Sequence, residues 1–230
     1  MAQQFQNVTH CIFDMDGLLL DTETIYSEIY NTITQRYGKT YTWEHKVKVM
    51  GFQSQESTKA IIEMLNLPIT PAEFDQQLQV LFKMKFSLSN LMPGAERLLK
   101  HLKSNNVPIA LATSSSKPSY DLKTERWKHI FSLLEPKVYG SSDPEVLKGK
   151  PAPDIFIVCA KRFPDKPHPS KCLVFEDSPN GIEAALSAGM QAVMVPDPGL
   201  PKSLIPGRTT LVLNSLEEFK PELFGLVPYK

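Results

Sequence analysis

Short apolar runs rich in β-branched residues recur along the chain, each closed by polar or turn residues. They are VTHCIFD (Val8 to Asp14), VPIALATS (Val107 to Ser114), KVYGS (Lys137 to Ser141), KCLVFED (Lys171 to Asp177), QAVMVPD (Gln191 to Asp197) and TTLVLNS (Thr209 to Ser215). Their apolar positions are continuous rather than alternating, the pattern of strands covered on both faces. Between most of them lie segments with helical spacing, PGAERLLKHLKSNN, APDIFIVCAKRF and NGIEAALSAGM. Pro153 suits a first helical turn and Gly189 a C-terminal cap. Strand alternating with helix predicts an α/β fold, a doubly wound parallel sheet with a Rossmann-like core.

From Thr22 to Asn90 the alternation stops. Apolar positions there recur at helical spacing, in YSEIYNTITQRYG and STKAIIEMLNL. A third helix starts at TPAEFDQQLQVLFKMKF, with Thr70 as N-cap, Pro71 in the first helical position and Glu73 completing a capping box. The pattern predicts a helical cap, residues 22–90, inserted after the first strand of a core built from residues 1–21 and 91–230. The aromatic stretch TQRYGKTYTWEH reads as packing inside that insert, Trp127 and His129 as a helix flank, and EEFKPELFGLVPYK as a closing helix.

Composition changes this picture little. Across 230 residues, 42% apolar and 22% charged content are those of an ordinary globular protein. Basic and acidic residues balance at 25 each, which argues against binding of bulk nucleic acid or an anionic membrane. Cys11, Cys159 and Cys172 are an odd number without a CxxC pair, and each falls in or beside an apolar run. They read as small core residues in a reducing compartment, neither a disulfide framework nor a zinc site. Without a signal-like N-terminal segment or a membrane-length apolar run, the expectation is a cytoplasmic protein.

In open α/β sheets ligands bind beyond the carboxyl ends of the strands. Those ends carry Asp14 and Asp16, then Thr113 and Ser114, then Glu176 and Asp177, while Lys150 in GKPAPD precedes a helix. Each alone is ordinary turn or cap chemistry. Together they gather carboxylates, an ammonium and hydroxyls on one edge of the sheet. Clustered carboxylates repel unless a cation neutralises them, and hard oxygen donors without His or Cys suit Mg²⁺. Lys150, Thr113 and helix N–H groups look instead toward an anion. The set suggests phosphoryl transfer through an aspartyl-phosphate. Gly17 permits a sharp turn as the chain leaves the strand after the acid pair.

DMDGLLLDT, ALATSS, GKPAPD and VFEDSPNGIEAALSAGM, in that order and spacing, resemble the four motifs of the haloacid dehalogenase-like hydrolase superfamily. The resemblance spans almost the whole chain, the helical insert matching the family's cap. It implies that Asp14 is the nucleophile, and that Asp16 protonates the leaving alcohol and then activates water. It implies that Thr113, Ser114 and Lys150 bind the phosphoryl group. Mg²⁺ would be held by Asp14, the backbone carbonyl of Asp16, and Asp177, with Glu176 as an extra or outer ligand. Tyr26, Met50, Gly51 and Phe52 are the cap positions expected to contact substrate. The implied enzyme is a monomeric phosphomonoesterase acting on a small phosphate ester, with no nucleic-acid polymer or membrane as partner.

Within that superfamily Asp16 favours phosphate-ester chemistry over dehalogenation, which needs no protonated alcohol. Sugar-phosphate mutases carry a basic residue in the early cap loop; MGFQSQES has none, although Lys46, Lys48 or Lys59 could substitute. A phospho-signalling receiver uses similar groups, but it needs no cap, and the motif order here disfavours it. A non-catalytic sugar-phosphate-binding protein would not need the intact set Asp14, Asp16, Lys150 and Asp177. None of the five His residues falls in an HxxxH or HExxH pair, so none is assigned to metal.

Overall fold

The computed structural model describes residues 5–49 and 54–230. Six parallel strands form one sheet in the order β3-β2-β1-β4-β5-β6. They are β1 (His10–Phe13), β2 (Ile109–Thr113), β3 (Lys137–Tyr139), β4 (Cys172–Glu176), β5 (Gln191–Met194) and β6 (Leu211–Val212). All six apolar runs supply a strand, each shorter than its run. β1 lies centrally, with Phe13 opposite Leu111 of β2 and Phe175 of β4, so the two carboxyl-end segments flank Asp14.

Nine helices are described: α1 (Thr22–Gln35), α2 (Trp43–Val49), α3 (Ser54–Leu65), α4 (Pro71–Lys85), α5 (Ala95–Ser104), α6 (Lys117–Lys123), α7 (Lys128–Phe131), α8 (Asp154–Arg162) and α9 (Pro179–Ser187). Strand side chains divide between two faces. Cys11, Phe13, Leu111 and Phe175 pack with Leu98, Leu99 and Leu102 of α5, while Ile12, Ala112 and Val174 pack with Phe156 of α8 and Ile182 of α9. Burial on both faces explains the unbroken apolar runs.

Helices α1–α4 enclose a separate apolar cluster that includes Ile29, Ile33, Ile61, Phe74 and Leu78. The capping box forms as read: Thr70 Oγ1 accepts from Glu73 N at 3.3 Å, and Thr70 N donates to Glu73 Oε2 at 2.8 Å. Tyr37 and Tyr41 pack into this cluster, whereas Trp43 leaves it to lie against Gly199 beyond β5. Three local expectations change. Pro153 is the N-cap of α8, its αR backbone preceding the first helical residue. Residues 125–131 make a 3₁₀ turn followed by the single-turn α7, with Trp127 Nε1 bonded to the Ser89 carbonyl at 2.8 Å. The closing helix is two 3₁₀ turns, Leu216–Glu218 and Pro221–Phe224, because Pro221 interrupts the backbone and Gly225 adopts φ +71°. Gly189 caps α9 at φ +77°, and all three cysteines are free and buried. No helix among the described residues is long and apolar enough to cross a membrane.

Candidate active site

β1 delivers Asp14 while the chain still follows β4, Asp14 N donating to the Phe175 carbonyl at 3.0 Å. The chain then folds over: the Met15 carbonyl accepts from Leu19 N and Leu20 N, and Gly17 adopts φ +79°. That left-handed backbone favours glycine, and so does the space. A Cβ on Gly17 would lie 2.3 Å from Asp177 Oδ2. The turn therefore lets β1 and the end of β4 close on each other.

Lys150 arrives on the loop between β3 and α8. Its ammonium donates to Asp14 Oδ1 at 2.6 Å, Glu176 Oε1 at 2.6 Å and the Ala112 carbonyl at 3.2 Å. Three N–H donors meet three acceptors, which is what a buried ammonium requires. Glu176 is buried completely, and its other oxygen accepts from Asp177 N, Ser178 N and Ser178 Oγ at 3.0–3.2 Å. Glu176 thereby locks Lys150 to the N-terminus of α9, and its oxygens are occupied by protein donors.

Asp16 turns the other way. Lys123 Nζ donates to its Oδ1 at 2.6 Å and Thr22 Oγ1 to the same oxygen at 2.8 Å. Ser115 Oγ donates to Oδ2 at 2.8 Å, with Thr113 Oγ1 at 3.5 Å. Burial raises the Asp16 carboxyl, but Lys123 and these hydroxyls outweigh it and hold the group below the usual carboxylate range.

The opposite holds for the neighbouring acids. Burial pushes the Asp14 carboxyl up to about 7 against the lowering pull of Lys150, with Glu176 and Asp16 adding repulsion. Burial, Glu176 and Asp14 push Asp177 well above its ordinary value. Asp14, Glu176 and Asp177 can each present an oxygen within 4.8 Å of the others. In the site, the four carboxylates of Asp14, Asp16, Glu176 and Asp177 face two ammonium groups, Lys123 and Lys150. A surplus of negative charge on hard oxygen donors fits a divalent cation of the Mg²⁺ class.

The structure brings Asp14, Asp16, Thr113, Lys150, Glu176 and Asp177 to one sheet edge. Ser114 is exposed, and its carbonyl accepts from Ser141 Oγ, while the Ser115 hydroxyl turns inward to Asp16. Of the side chains expected at the metal, Asp14 and Asp177 join the acidic cluster; Asp16 is expected there only by its backbone carbonyl, and its side chain bonds Lys123. Tyr26 reaches the site through its hydroxyl, which accepts from Lys123 Nζ at 3.1 Å. Met50, Gly51 and Phe52 lie outside the described residues.

Lys123 and Ser115 were missed by sequence reasoning. Ser115 is one of three consecutive serines, and the helical register that selects it is set only by the N-cap at Ser116. Lys123 sits among charged residues in DLKTERWK, with nothing in the pattern to mark it as buried.

Lys46, the cap lysine closest to qualifying as a second-phosphate ligand, is nearly buried. It pairs with Glu23 and with Asp197, both at 3.1 Å. Lys48 and Lys59 are exposed.

A profile of the haloacid dehalogenase-like hydrolases matches residues 8–189. The chain belongs to this family. Among its hydrolase relatives, the chain is 53% identical to a Drosophila melanogaster protein named "probable pseudouridine-5'-phosphatase", covering 96% of this chain and 95% of that one. It is 45% identical to (DL)-glycerol-3-phosphatase 2 of Arabidopsis thaliana, over 97% of this chain and 94% of that one. A haloacid dehalogenase family hydrolase from Deinococcus radiodurans, solved with bound phosphate and sodium, superposes with a TM-score of 0.79. That match covers 96% of this chain and 99% of the other at 24% identity, a likeness of fold. This haloacid dehalogenase-like hydrolase is a phosphatase.

Proposed function

We propose that this phosphatase hydrolyses a small phosphomonoester through a phosphorylated Asp14, under a cap formed by residues 22–90. The observation that carries this reading is the bridge from Lys150 to Asp14 and Glu176, with Asp16 two residues away in a separate hydrogen-bonded pocket. Two carboxylates on one short segment thus have different environments, which in the ligand-free site favour a proton on Asp14 over Asp16; a cation at Asp14 and an incoming phosphoryl dianion beside Asp16 would have to reverse that order before transfer.

Asp14 Oδ attacks phosphorus, and the bond to the leaving alcohol oxygen breaks as Asp16 gives that oxygen a proton. Asp16 then takes a proton from the water that attacks the same phosphorus, releasing phosphate and restoring the Asp14 carboxylate. Lys150 offsets charge between Asp14 and the phosphoryl oxygens, and Thr113 with the Ser114–Ser115 turn lines the approach. Asp14, Asp177 and the Asp16 backbone carbonyl would hold Mg²⁺, with Glu176 behind them. The bound ion would supply Lewis-acid stabilisation of the phosphoryl oxygens.

The substrate we favour is pseudouridine 5'-phosphate, yielding pseudouridine and phosphate, on the strength of the 53% identical relative. The 45% identical relative supports glycerol 3-phosphate as the second reading. Engagement of Lys46 by Glu23 and Asp197 counts against a mutase, which would need a cap cation for a second phosphate. Three buried free thiols accord with a cytoplasmic setting.

The test is phosphate release with Mg²⁺ across nucleoside, modified-nucleoside, glycerol and hexose monophosphates. Highest kcat/KM on pseudouridine 5'-phosphate is expected. A clear preference for glycerol 3-phosphate or a hexose phosphate overturns the substrate while leaving the chemistry.

A further inference from the structure

Lys123 closes α6, and its side chain is completely buried. Removing an ammonium from water costs several kcal/mol unless each N–H finds a partner. Here the three partners come from different parts of the molecule. Nζ donates to Asp16 Oδ1 at 2.6 Å and Ser115 Oγ at 3.0 Å, both on the sheet edge. The third bond, at 3.1 Å, goes to the Tyr26 hydroxyl on α1.

The surroundings extend that link. Nζ lies 4.7 Å from the centre of the Phe86 ring and 5.1 Å from that of Tyr26, close enough for cation–π attraction. Those two rings pack edge to face at 4.9 Å, with Phe82 against both. The Lys123 carbonyl accepts from Ser89 Oγ at 3.0 Å, fixing its backbone to the segment that returns from α4 to the sheet. Lys123 is thus fastened to both chain crossings between the sheet and α1–α4, and to the carboxylate nearest them.

A buried ammonium needs a carboxylate partner, and here that partner is the site's own acid–base group rather than an acid outside the site. We infer that Lys123 is a positioning residue, which ties the aim of Asp16 to the seating of α1 and the 86–89 segment. With Tyr26 in place, the ammonium is fixed from three sides and holds one Asp16 oxygen, leaving the other to the Ser115 and Thr113 hydroxyls. Displacement of α1 removes one of the three anchors and lets the ammonium, and Asp16 with it, swing. The inference rests on the proposed acid–base role of Asp16.

The experiment compares wild type, Lys123→Met, Lys123→Arg, Tyr26→Phe and Asp16→Asn on two kinds of ester. Glycerol 3-phosphate or pseudouridine 5'-phosphate releases an alcohol that must be protonated. p-Nitrophenyl phosphate releases a phenolate that leaves without a proton, and its pre-steady-state burst reads phosphorylation of Asp14 alone. For Lys123→Met, turnover of the alkyl ester should fall ~10²-fold, the scale of positioned acid–base help. KM and the p-nitrophenolate burst should stay within about threefold. Lys123→Arg should recover part of the loss, and Tyr26→Phe should show the same split more weakly.

Equal losses in alkyl turnover and burst, or no loss at all, overturn the inference. If Lys123→Met does not fold, the other two variants decide: a wild-type ratio of alkyl turnover to burst in both Lys123→Arg and Tyr26→Phe overturns it. Asp16→Asn separates the two levels of the argument. An alkyl-selective loss in Asp16→Asn without one at Lys123 defeats only the positioning role. Wild-type alkyl turnover in Asp16→Asn defeats the acid–base reading and the inference with it.

Discussion

The Glu176 carboxylate fills the space where a side chain at Gly181 would begin. A Cβ there would lie 1.9 Å from Glu176 Cδ and 2.0–2.2 Å from its two oxygens. Gly181 is the third residue of α9, a position where alanine ordinarily adds about 0.5–1 kcal/mol of stability. Here the sign should reverse. Gly181→Ala must displace a carboxylate that holds Lys150 and the α9 N-terminus, costing about 1–3 kcal/mol by overpacking. Denaturant unfolding and kcat should both fall; a variant as stable and active as wild type would remove Glu176 from its proposed place behind the metal.

Asp14 carries the opposing charges of the site. Its folded-state pKa, about 7, lies above the unfolded value, about 3.9, so without a cation it costs stability progressively as pH rises from about 4 to about 7, and the cost levels off above that. Asp14→Asn should therefore raise Tm of the metal-free protein at pH 8 while abolishing turnover. Mg²⁺ should raise Tm of wild type through linkage and do so much less in Asp14→Asn or Asp177→Asn. An equal Mg²⁺-dependent rise in all three proteins would place the ion elsewhere.

Arg162 on α8 grips the loop that carries Lys150. It donates to both oxygens of Asp143, at 2.5 and 2.9 Å, and to Glu145 at 2.5 Å. These hydrogen bonds hold the Asp143 carboxyl below its ordinary value. A depressed carboxyl contributes stability fully above its unfolded pKa, about 3.9, and loses it as pH falls through the lower folded value. Arg162→Met should cost about 1–2 kcal/mol at pH 7, with partial exposure limiting the effect. The deficit should hold down to about pH 5 and shrink below about pH 4. A deficit unchanged at pH 3 would assign the loss to packing of the Arg162 stem.

These predictions draw on residues of unequal legibility in the chain. Strand positions were legible because burial on both faces leaves continuous apolar runs, and the strand-end acids could be read directly from where those runs stop. Asp14, Asp16, Lys150, Glu176 and Asp177 therefore surfaced together. Lys123 did not, because its importance comes from contacts 97 and 107 residues distant, at Tyr26 and Asp16. Nor did the choice of Ser115 over Ser114, which depends on how the turn after β2 rotates. The final segment misled for a simpler reason: EEFKPELF has helical spacing, but Pro221 denies the helix an internal hydrogen bond.

Lys46 links the helical insert to the sheet at a second place. It bridges Glu23 on α1 and Asp197 beyond β5, while Trp43 one turn earlier covers Gly199. Lys46→Met should leave Glu23 and Asp197 without their shared cation and loosen α2 from the loop at 197–199. The expected signature is faster amide exchange across α2 and kcat/KM reduced about tenfold, with unfolding of the sheet little changed. Unaltered exchange in α2 would show that Trp43 alone seats it.

The central claim is that Asp14 becomes phosphorylated. Asp16→Asn, which should slow hydrolysis of the intermediate, can be mixed with Mg²⁺ and p-nitrophenyl phosphate, whose leaving group needs no proton from Asp16, then quenched and treated with borohydride. Reduction converts an aspartyl-phosphate to homoserine, and peptide mass spectrometry then reads position 14. Homoserine at position 14, dependent on substrate, is the result expected. An unmodified Asp14, with the label at another residue or nowhere while phosphate is still released, would contradict the account.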